Sequence, residues 1–250
     1  MHLSKPFLDE GMLIVNVVNP TAGLLAGDRV VCSVSVESGA SLSLTTPSAN
    51  RAHRMDAGFA EVTQNLRVAA GGFLDCWPEP LIPQAGSRLR QSTNIVVEEN
   101  GELLFLESIA PGRVASGEAF EFAEIEWRTD IFSAHEHIVR ERYRLTPGCE
   151  SVRVLKSVFE HAYHATCFAV APQLSAASPC WASLFAMQGP EVWIGTTPLG
   201  HAGWAIKIIT NGSLAMRRTL SAVRSQLYAS LGRSEPSFRR LAMTAKSTGN

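Results

Sequence analysis

The chain has 250 residues, a formal net charge of −1, a charged fraction of only 18% and 46% hydrophobic residues. That balance excludes a general attraction to nucleic acid or to an anionic membrane surface, and it suits one large domain or two small ones with a substantial core. The five cysteines (Cys32, Cys76, Cys149, Cys167 and Cys180) form no CxxC pair, which argues against a disulfide framework or a structural zinc site.

No basic-then-apolar leader opens the chain. The first apolar run, Met12–Val18, is interrupted by Asn16 and is too short to span a bilayer. The chain therefore reads as soluble and cytoplasmic, and so few surface charges imply that partners cover part of it. Asn19–Asp28 follows as a glycine-rich turn. Gly23 and Gly27 can take positive φ or approach a neighbour closely, and Asp28 stands where a strand begins. In Arg29–Val36, Val30, Cys32, Val34 and Val36 alternate with Val31, Ser33 and Ser35, which predicts a half-buried strand. Ser38-Gly39-Ala40 turns the chain, and Leu42 and Leu44 resume the alternation before a small-residue turn bearing Arg51 and Arg54. Opposite charges on adjacent turns, with no nucleophile and no P-loop lysine, suit recognition or conduction better than catalysis.

Further strands are predicted at Ala60–Val68, Phe73–Trp77, Ser87–Val97, Leu103–Ile109, Ala119–Trp127, His137–Leu145 and Val152–Leu155, separated by Gly or Pro clusters. Asn100-Gly101 between two apolar runs predicts a type I′ hairpin. A bulge near Ala123-Glu124 would reconcile Phe120 and Phe122 with Ile125 and Trp127. Pro172–Pro179 reads as a small-residue linker, with strands at Val192–Thr196 and Trp204–Ile209. Met216, Leu220, Val223, Leu227 and Leu231 define a helix over Leu214–Leu231, started by Asn211-Gly212-Ser213 and stopped by Gly232. No repeat of fixed period is visible. The residues predict a mainly β fold, a sandwich, barrel or irregular solenoid, in one domain over 1–241 with a disordered tail at 242–250.

Three constellations could carry chemistry. Glu107 continues the apolar face of Leu103, Phe105 and Ile109. It is expected either at a strand end, in solvent or paired with Arg113, or as a carboxylate lining a polar channel. Pro111–Glu118 is a Gly-bounded loop holding Arg113, Gly117 and Glu118. Leu74–Pro83 sets Asp75 and Glu79 beside Pro78, Pro80 and Pro83, which reads as a stiff exposed loop suited to partner docking. His135-x-His137 would share one strand face, and His161, His164 and Cys167 would align on a helix, but neither set amounts to a dedicated metal site. HExxH, GxSxG, Walker A and GxGxxG motifs are absent.

Six ordered blocks over Pro6–Leu241 resemble the D-type urease accessory proteins, called H in some systems. They are Asn19–Asp28, Thr45-Thr46-Pro-x-Ala-x-Arg51-x-His53-Arg54, Leu74-Asp75-x-x-Pro78-Glu79-Pro80-Leu81-Ile82-Pro83, Ala85–Gln91, Glu107–Glu118, and a weaker stretch through Tyr163–Thr166 to the closing helix. The resemblance implies an irregular β-helix-like fold of many short strands, parallel and antiparallel, with one or two helices near the C-terminus. It implies a scaffold in urease maturation that is not itself an enzyme. Its expected partners are apo-urease and an F-type accessory protein that recruits a G-type GTPase, with Ni²⁺ passing transiently through a hydrated interior.

On this reading Asp28, Thr45, Thr46, Asp75, Glu79, Glu107 and Glu118 are the oxygen carriers of that path. Arg51, Arg54 and Arg113 fix carboxylates or partner surfaces, and Gly23, Gly27, Pro78 and Gly117 keep the motif turns. The family carries a further strand-rich stretch before the position of Pro6, so the resemblance implies a shortened N-terminus here. Two other readings compete. One is a β-rich adaptor with no metal role. The other is a glycoside-active solenoid using Asp75 with Glu79, or Glu107 with Glu118, about 5–9.5 Å apart, with Trp77 and Trp127 as platforms.

Overall fold

The computed structural model describes residues 1–21, 23–200 and 203–237. The chain winds in coils that alternate between two sheets. Strands β1 (His2–Leu3), β2 (Phe7–Asp9) and β3 (Met12–Val18) open the first sheet, and β4 (Arg29–Val36) crosses to the second. The winding repeats through β5 (Ser41–Thr45), β6 (Asn50–Ala52) and the crossing strand β7 (Ala60–Val68). It repeats again through β8 (Phe73–Cys76), β9 (Leu81–Pro83) and the crossing strand β10 (Arg88–Val97). β11 (Glu102–Ile109) returns to the first sheet, and β12 (Glu124–Ser133) and β13 (Glu136–Leu145) complete the second. After α1 (Glu150–Val158), β14 (Tyr163–Val170), α2 (Cys180–Phe185), β15 (Val192–Leu199) and β16 (Gly203–Thr210) extend the first sheet, and α3 (Ser213–Ser230) packs on its outer face.

The first sheet runs β1-β3-β5-β8-β11-β14-β16-β15, and the second β13-β12-β10-β7-β4. From β3 to β12 the coils pair in parallel, while β1 and β2 join β3 antiparallel and β13, β14, β15 and β16 also pair antiparallel. The predicted mainly β, solenoid-like class is therefore what the chain adopts, and of the three α-helices among the described residues one, α3, follows the last strand.

One corner explains the winding. Gly39, Gly71 and Asn100 all take positive φ (73°, 71° and 60°). The Gly39 N–H donates to the Gly71 carbonyl at 3.3 Å, and the Gly71 N–H to the Asn100 carbonyl at 3.1 Å. Equivalent turns thus stack one above another. The Asn100-Gly101 turn is such a corner and not a hairpin, because β10 and β11 lie in different sheets. The stacked corners are unevenly spaced in sequence, which hides the repeat.

Other expectations need correction. Val152–Leu155 is helical, within α1, because three apolar residues around Arg153 are too few to separate a strand from a helix. Phe120 sits in a turn at φ 59°, so β12 begins only at Glu124 and needs no bulge at 123–124; its register shifts between Ile131 and Phe132 instead. Leu81 is buried and β9 pairs with β6 and β11, so 78–83 is not a free exposed loop. His135 lies in a turn at φ 70°, outside the strand that holds His137. His164 and Cys167 lie on β14 three residues apart and face opposite ways.

The predicted C-terminal helix differs from α3 by one residue at each end. Its buried Met216, Leu220, Val223 and Leu227 pack against β11, β14 and β16, each contributing about 1.5–3 kcal/mol of burial. The predicted disordered tail lies outside the described residues.

Candidate functional site

All eight residues of β11 are buried, because the strand is covered on both faces. Period-two alternation sends Leu104 and Leu106 toward α3, and Leu103, Phe105 and Glu107 toward the second sheet. Glu107 is thus a carboxylate between the sheets, neither at a solvent edge nor paired with Arg113. Trp127 Nε1 donates to its Oε1 at 2.6 Å. Thr129 Oγ1 lies 2.8 and 2.9 Å from its two oxygens, and Thr93 Oγ1 donates at 3.4 Å. Burial pushes the carboxyl up to about 7 although these bonds favour its charged form, and nearby Glu141 adds to the rise.

The partners of Glu107 belong to a continuous polar row. Cys32, Gln64, Thr93, Thr129 and Glu141 are successive register partners across the second sheet, from β4 to β13. Facing them, Glu107, Thr166 and Lys207 are successive partners across the first, on β11, β14 and β16. Thr166 Oγ1 is buried without a hydrogen-bond partner among the described residues. This seam divides two apolar clusters. Leu66, Ile95, Phe105, Ile131 and Phe168 lie on one side, and Val62, Leu89, Ile125 and Leu145 on the other.

A cavity of about 120 Å³ runs from Glu107, Gln64 and Trp127 to a mouth at Thr45, Thr46, Asn50, Pro78 and Glu79. Thr45 Oγ1 donates to the Trp77 carbonyl at 2.8 Å, and Thr46 Oγ1 accepts the Glu79 N–H at 2.8 Å, so two hydroxyls fix the chain at the mouth. A groove of about 210 Å³ against α3 shares Pro78 and Glu79 with this mouth. A third space of about 400 Å³ opens beyond β12 and is bordered by Glu141, Tyr143 and His164. Trp127, stacked on Tyr143 at 6.0 Å, stands between the first space and the third. Burial and the Lys207 charge hold the His164 ring neutral, with its pKa lowered to about 4.

The remaining candidates lie elsewhere. Asp28 closes its own turn, its Oδ2 accepting the Leu25 N–H at 2.8 Å. Asp75 is fully buried on the α3 side of the first sheet, ion-paired with Arg224, with Tyr228 donating at 2.7 Å and Ser43 at 3.1 Å. Glu118 lies on the surface against Arg113, which holds its carboxyl below the usual range, and it accepts the Ala85 N–H at 3.2 Å. Gly117 ends the short helical turn before it at φ 77°. Arg51 is exposed, and Arg54 pairs with exposed Asp56 at 3.1 Å. Neither carboxylate pair weighed for glycoside chemistry shares a cleft: Asp75 faces α3 while Glu79 is exposed, and Glu107 is internal while Glu118 is on a surface loop. Among the described residues no group of three or more His, Cys, Asp and Glu could hold a metal ion. Nor is any described helix long and apolar enough to cross a membrane.

The glycine turn has a steric role. A Cβ on Gly23 would collide with the His53 ring and lie 2.8 Å from the Arg51 carbonyl, while Gly27 needs its φ of 85°. Gly23→Ala is expected to cost about 1–3 kcal/mol through this overpacking. Thermal unfolding checks it, and an unchanged midpoint would show that the turn is not held as described.

Sequence reasoning passed over Gln64, Thr93, Thr129, Thr166, Glu141, Lys207, Arg224 and Tyr228. A signal existed for the seam: Gln64, Thr93 and Thr129 each interrupt the inward apolar series of their strand at neighbouring register positions. Arg224 and Tyr228 had a weaker one, lying one residue beyond Val223 and Leu227 on the apolar stripe of α3.

Residues 1–242 match the family model described as UreD urease accessory protein. The chain is similar to the urease accessory protein UreD of Opitutus terrae, with 39% identity over 245 residues, 96% of this chain and 89% of the relative. It is 29% identical over 233 residues to that of Acetivibrio thermocellus, covering 90% of this chain and 87% of the relative. It is 31% identical over 229 residues to that of Deinococcus radiodurans, covering 90% and 81%.

Proposed function

Because the chain belongs to the UreD urease accessory protein family and so serves urease maturation, we propose that it conducts Ni²⁺ through the seam between its sheets while bridging apo-urease to an F-type accessory protein and a G-type GTPase. The observation that carries this reading is the row of oxygen groups inside the sandwich, with a buried carboxylate at its centre and a cavity leading to it. A hydrated divalent ion in transit needs ligands that hold it and release it. Hydroxyl, amide and carboxylate oxygens do so more readily than a His/Cys cage. Glu107 titrates near neutrality, so it can release a proton as the ion arrives and take one back as it leaves. Thr45, Thr46 and Glu79 would receive the ion at the mouth. Asp28, Asp75 and Glu118 are each engaged in closing a turn, holding α3 or bracing a loop, so on this reading they shape the body around the path. No step requires a bond in the protein to be made or broken, which agrees with an accessory role in place of an enzymatic one.

The test keeps the body and removes the wetness of the seam. In Gln64→Leu/Thr93→Leu the row becomes apolar near the cavity; new contacts with both neighbouring clusters act against the lost Thr93 hydrogen bond and the added bulk, and the melting midpoint measures whether the body is kept. Nickel-dependent activation of apo-urease, reconstituted with the other accessory proteins, should fall about tenfold, equivalent to about 1.4 kcal/mol on the limiting barrier. Activation at the unmodified rate would remove the conduit and leave a chain that acts by docking alone.

A further inference from the structure

We propose that the Lys207–Glu141 ion pair is a gate: the Lys207 ammonium occupies the place at the far end of the seam that a divalent cation must take to pass from Glu107 toward the space beyond β12. The inference rests on the seam's being the path of the cargo.

The geometry sets the two partners apart. Glu141 is the last seam residue of the second sheet, beside Thr129, which holds Glu107, and it borders the outer space. Lys207 reaches it from the opposite sheet, beyond Thr166. The side chains are unequally free: Glu141 is 16% exposed and Lys207 50%. The carboxylate is fixed and the ammonium has water to move into. It also has room, because the register partner of Lys207 on β15 is Gly195, where an added Cβ would meet nothing within 4 Å. A lysine on a flexible four-carbon stem beside such a gap can swing clear without moving the backbone.

Charge gives the gate its direction. At rest the seam holds two carboxyl groups, Glu107 and Glu141, and one ammonium. His164 beside it is neutral and adds no positive charge, and Tyr143 is held in its neutral form by burial and by these carboxylates. A divalent ion between the two carboxylates balances them by itself, so the ammonium becomes surplus and is repelled into solvent. When the ion leaves, Glu141 is again uncompensated and draws Lys207 back. A small tethered cation thus excludes other cations until one of higher charge displaces it.

The experiment reads the initial rate of apo-urease activation by nickel with the full set of accessory proteins, in three forms of the chain. Lys207→Met removes the plug and should raise the rate several-fold. Lys207→Arg, whose planar fork can hold the carboxylate through two bonds, should lower it several-fold. Gln64→Leu/Thr93→Leu reports on the path independently. If that control is slow but Lys207→Met and Lys207→Arg both match the unmodified chain, the gate is wrong and the path survives. If the control activates normally, the path is wrong and the gate goes with it. A second measurement needs no urease: nickel ions added to the chain should accelerate acetylation of Lys207 by an amine reagent several-fold, read by mass spectrometry. Labelling indifferent to nickel would overturn the gate.

Discussion

Arg224→Met should destabilise the chain by about 3–5 kcal/mol, one of the larger losses a single substitution can cause, because it leaves a buried carboxylate uncompensated. Asp75 has no solvent exposure, and the Arg224 side chain is 7% exposed. Arg224 ion-pairs with Asp75, and Tyr228 donates to the same carboxylate at 2.7 Å. This contact fastens α3 to β8 through the middle of an apolar cluster. With the guanidinium gone, Tyr228 and Ser43 remain as donors but no charge balances the acid. At about 2–4 °C per kcal/mol for a chain of this size, the melting midpoint should drop by roughly 10 °C. The double variant Asp75→Leu/Arg224→Met decides the cause. Replacing both charges by apolar groups should recover most of the loss. If the double variant is as unstable as the single one, the defect is lost volume or shape and not a stranded charge.

Glu107→Gln should separate stability from function in opposite directions. Glu107 titrates at about 7 in the folded chain against an ordinary 4.5. Between those values the native state keeps a proton that the unfolded chain has released, so stability falls as pH rises through the window and is flat above it. The amide cannot ionise, so the variant escapes this fall and at pH 8 should be more stable by about 3 kcal/mol. His164 works the other way. Its pKa is lowered to about 4 from an ordinary 6.5, so the stability of the neutral ring is lost as pH drops through that interval. In the unmodified chain the two effects oppose each other between about pH 4.5 and 6.5. In the variant only His164 remains, and stability should rise steadily from pH 4 to 6.5. Denaturant midpoints across pH 4–8 test this, and identical profiles for the two proteins would refute a buried, titrating Glu107. Urease activation should meanwhile fall by more than about tenfold, since a neutral amide neither balances a dication nor trades a proton for it.

Much of the fold was legible because the strands carry clear alternation. β4, β7 and β10 are half-buried, so their period of two survives in the sequence. β11 was recognisable as fully buried from its apolar run, and α3 from its 3.6-residue spacing. What stayed hidden was which strand lies next to which. Asn100-Gly101 has the composition of a hairpin, yet its turn stacks on the Gly71 turn, so a tertiary arrangement overrode a local signal. The site divides along the same line. Glu107 was conspicuous as a charge on an apolar face. Thr93 and Thr129 were less so: each breaks the inward apolar series of its strand, but only the register sets them opposite Glu107. Asp75 and Glu79 are close in sequence but part company in the fold, because the first is buried inside β8 and the second is exposed beyond its end.

The union of Asp75 with Arg224 and Tyr228 also sets a clock. The acid is made 149 residues before the arginine that neutralises it. At roughly 5–20 residues per second, a ribosome leaves that carboxylate waiting for about 7–30 seconds. During that wait the early coils can stack corner on corner, yet the sheet face that will receive α3 stays wet and uncovered. Rapid overproduction would crowd many such half-finished chains together, and slower translation over the second half of the message should raise the share that closes before meeting another.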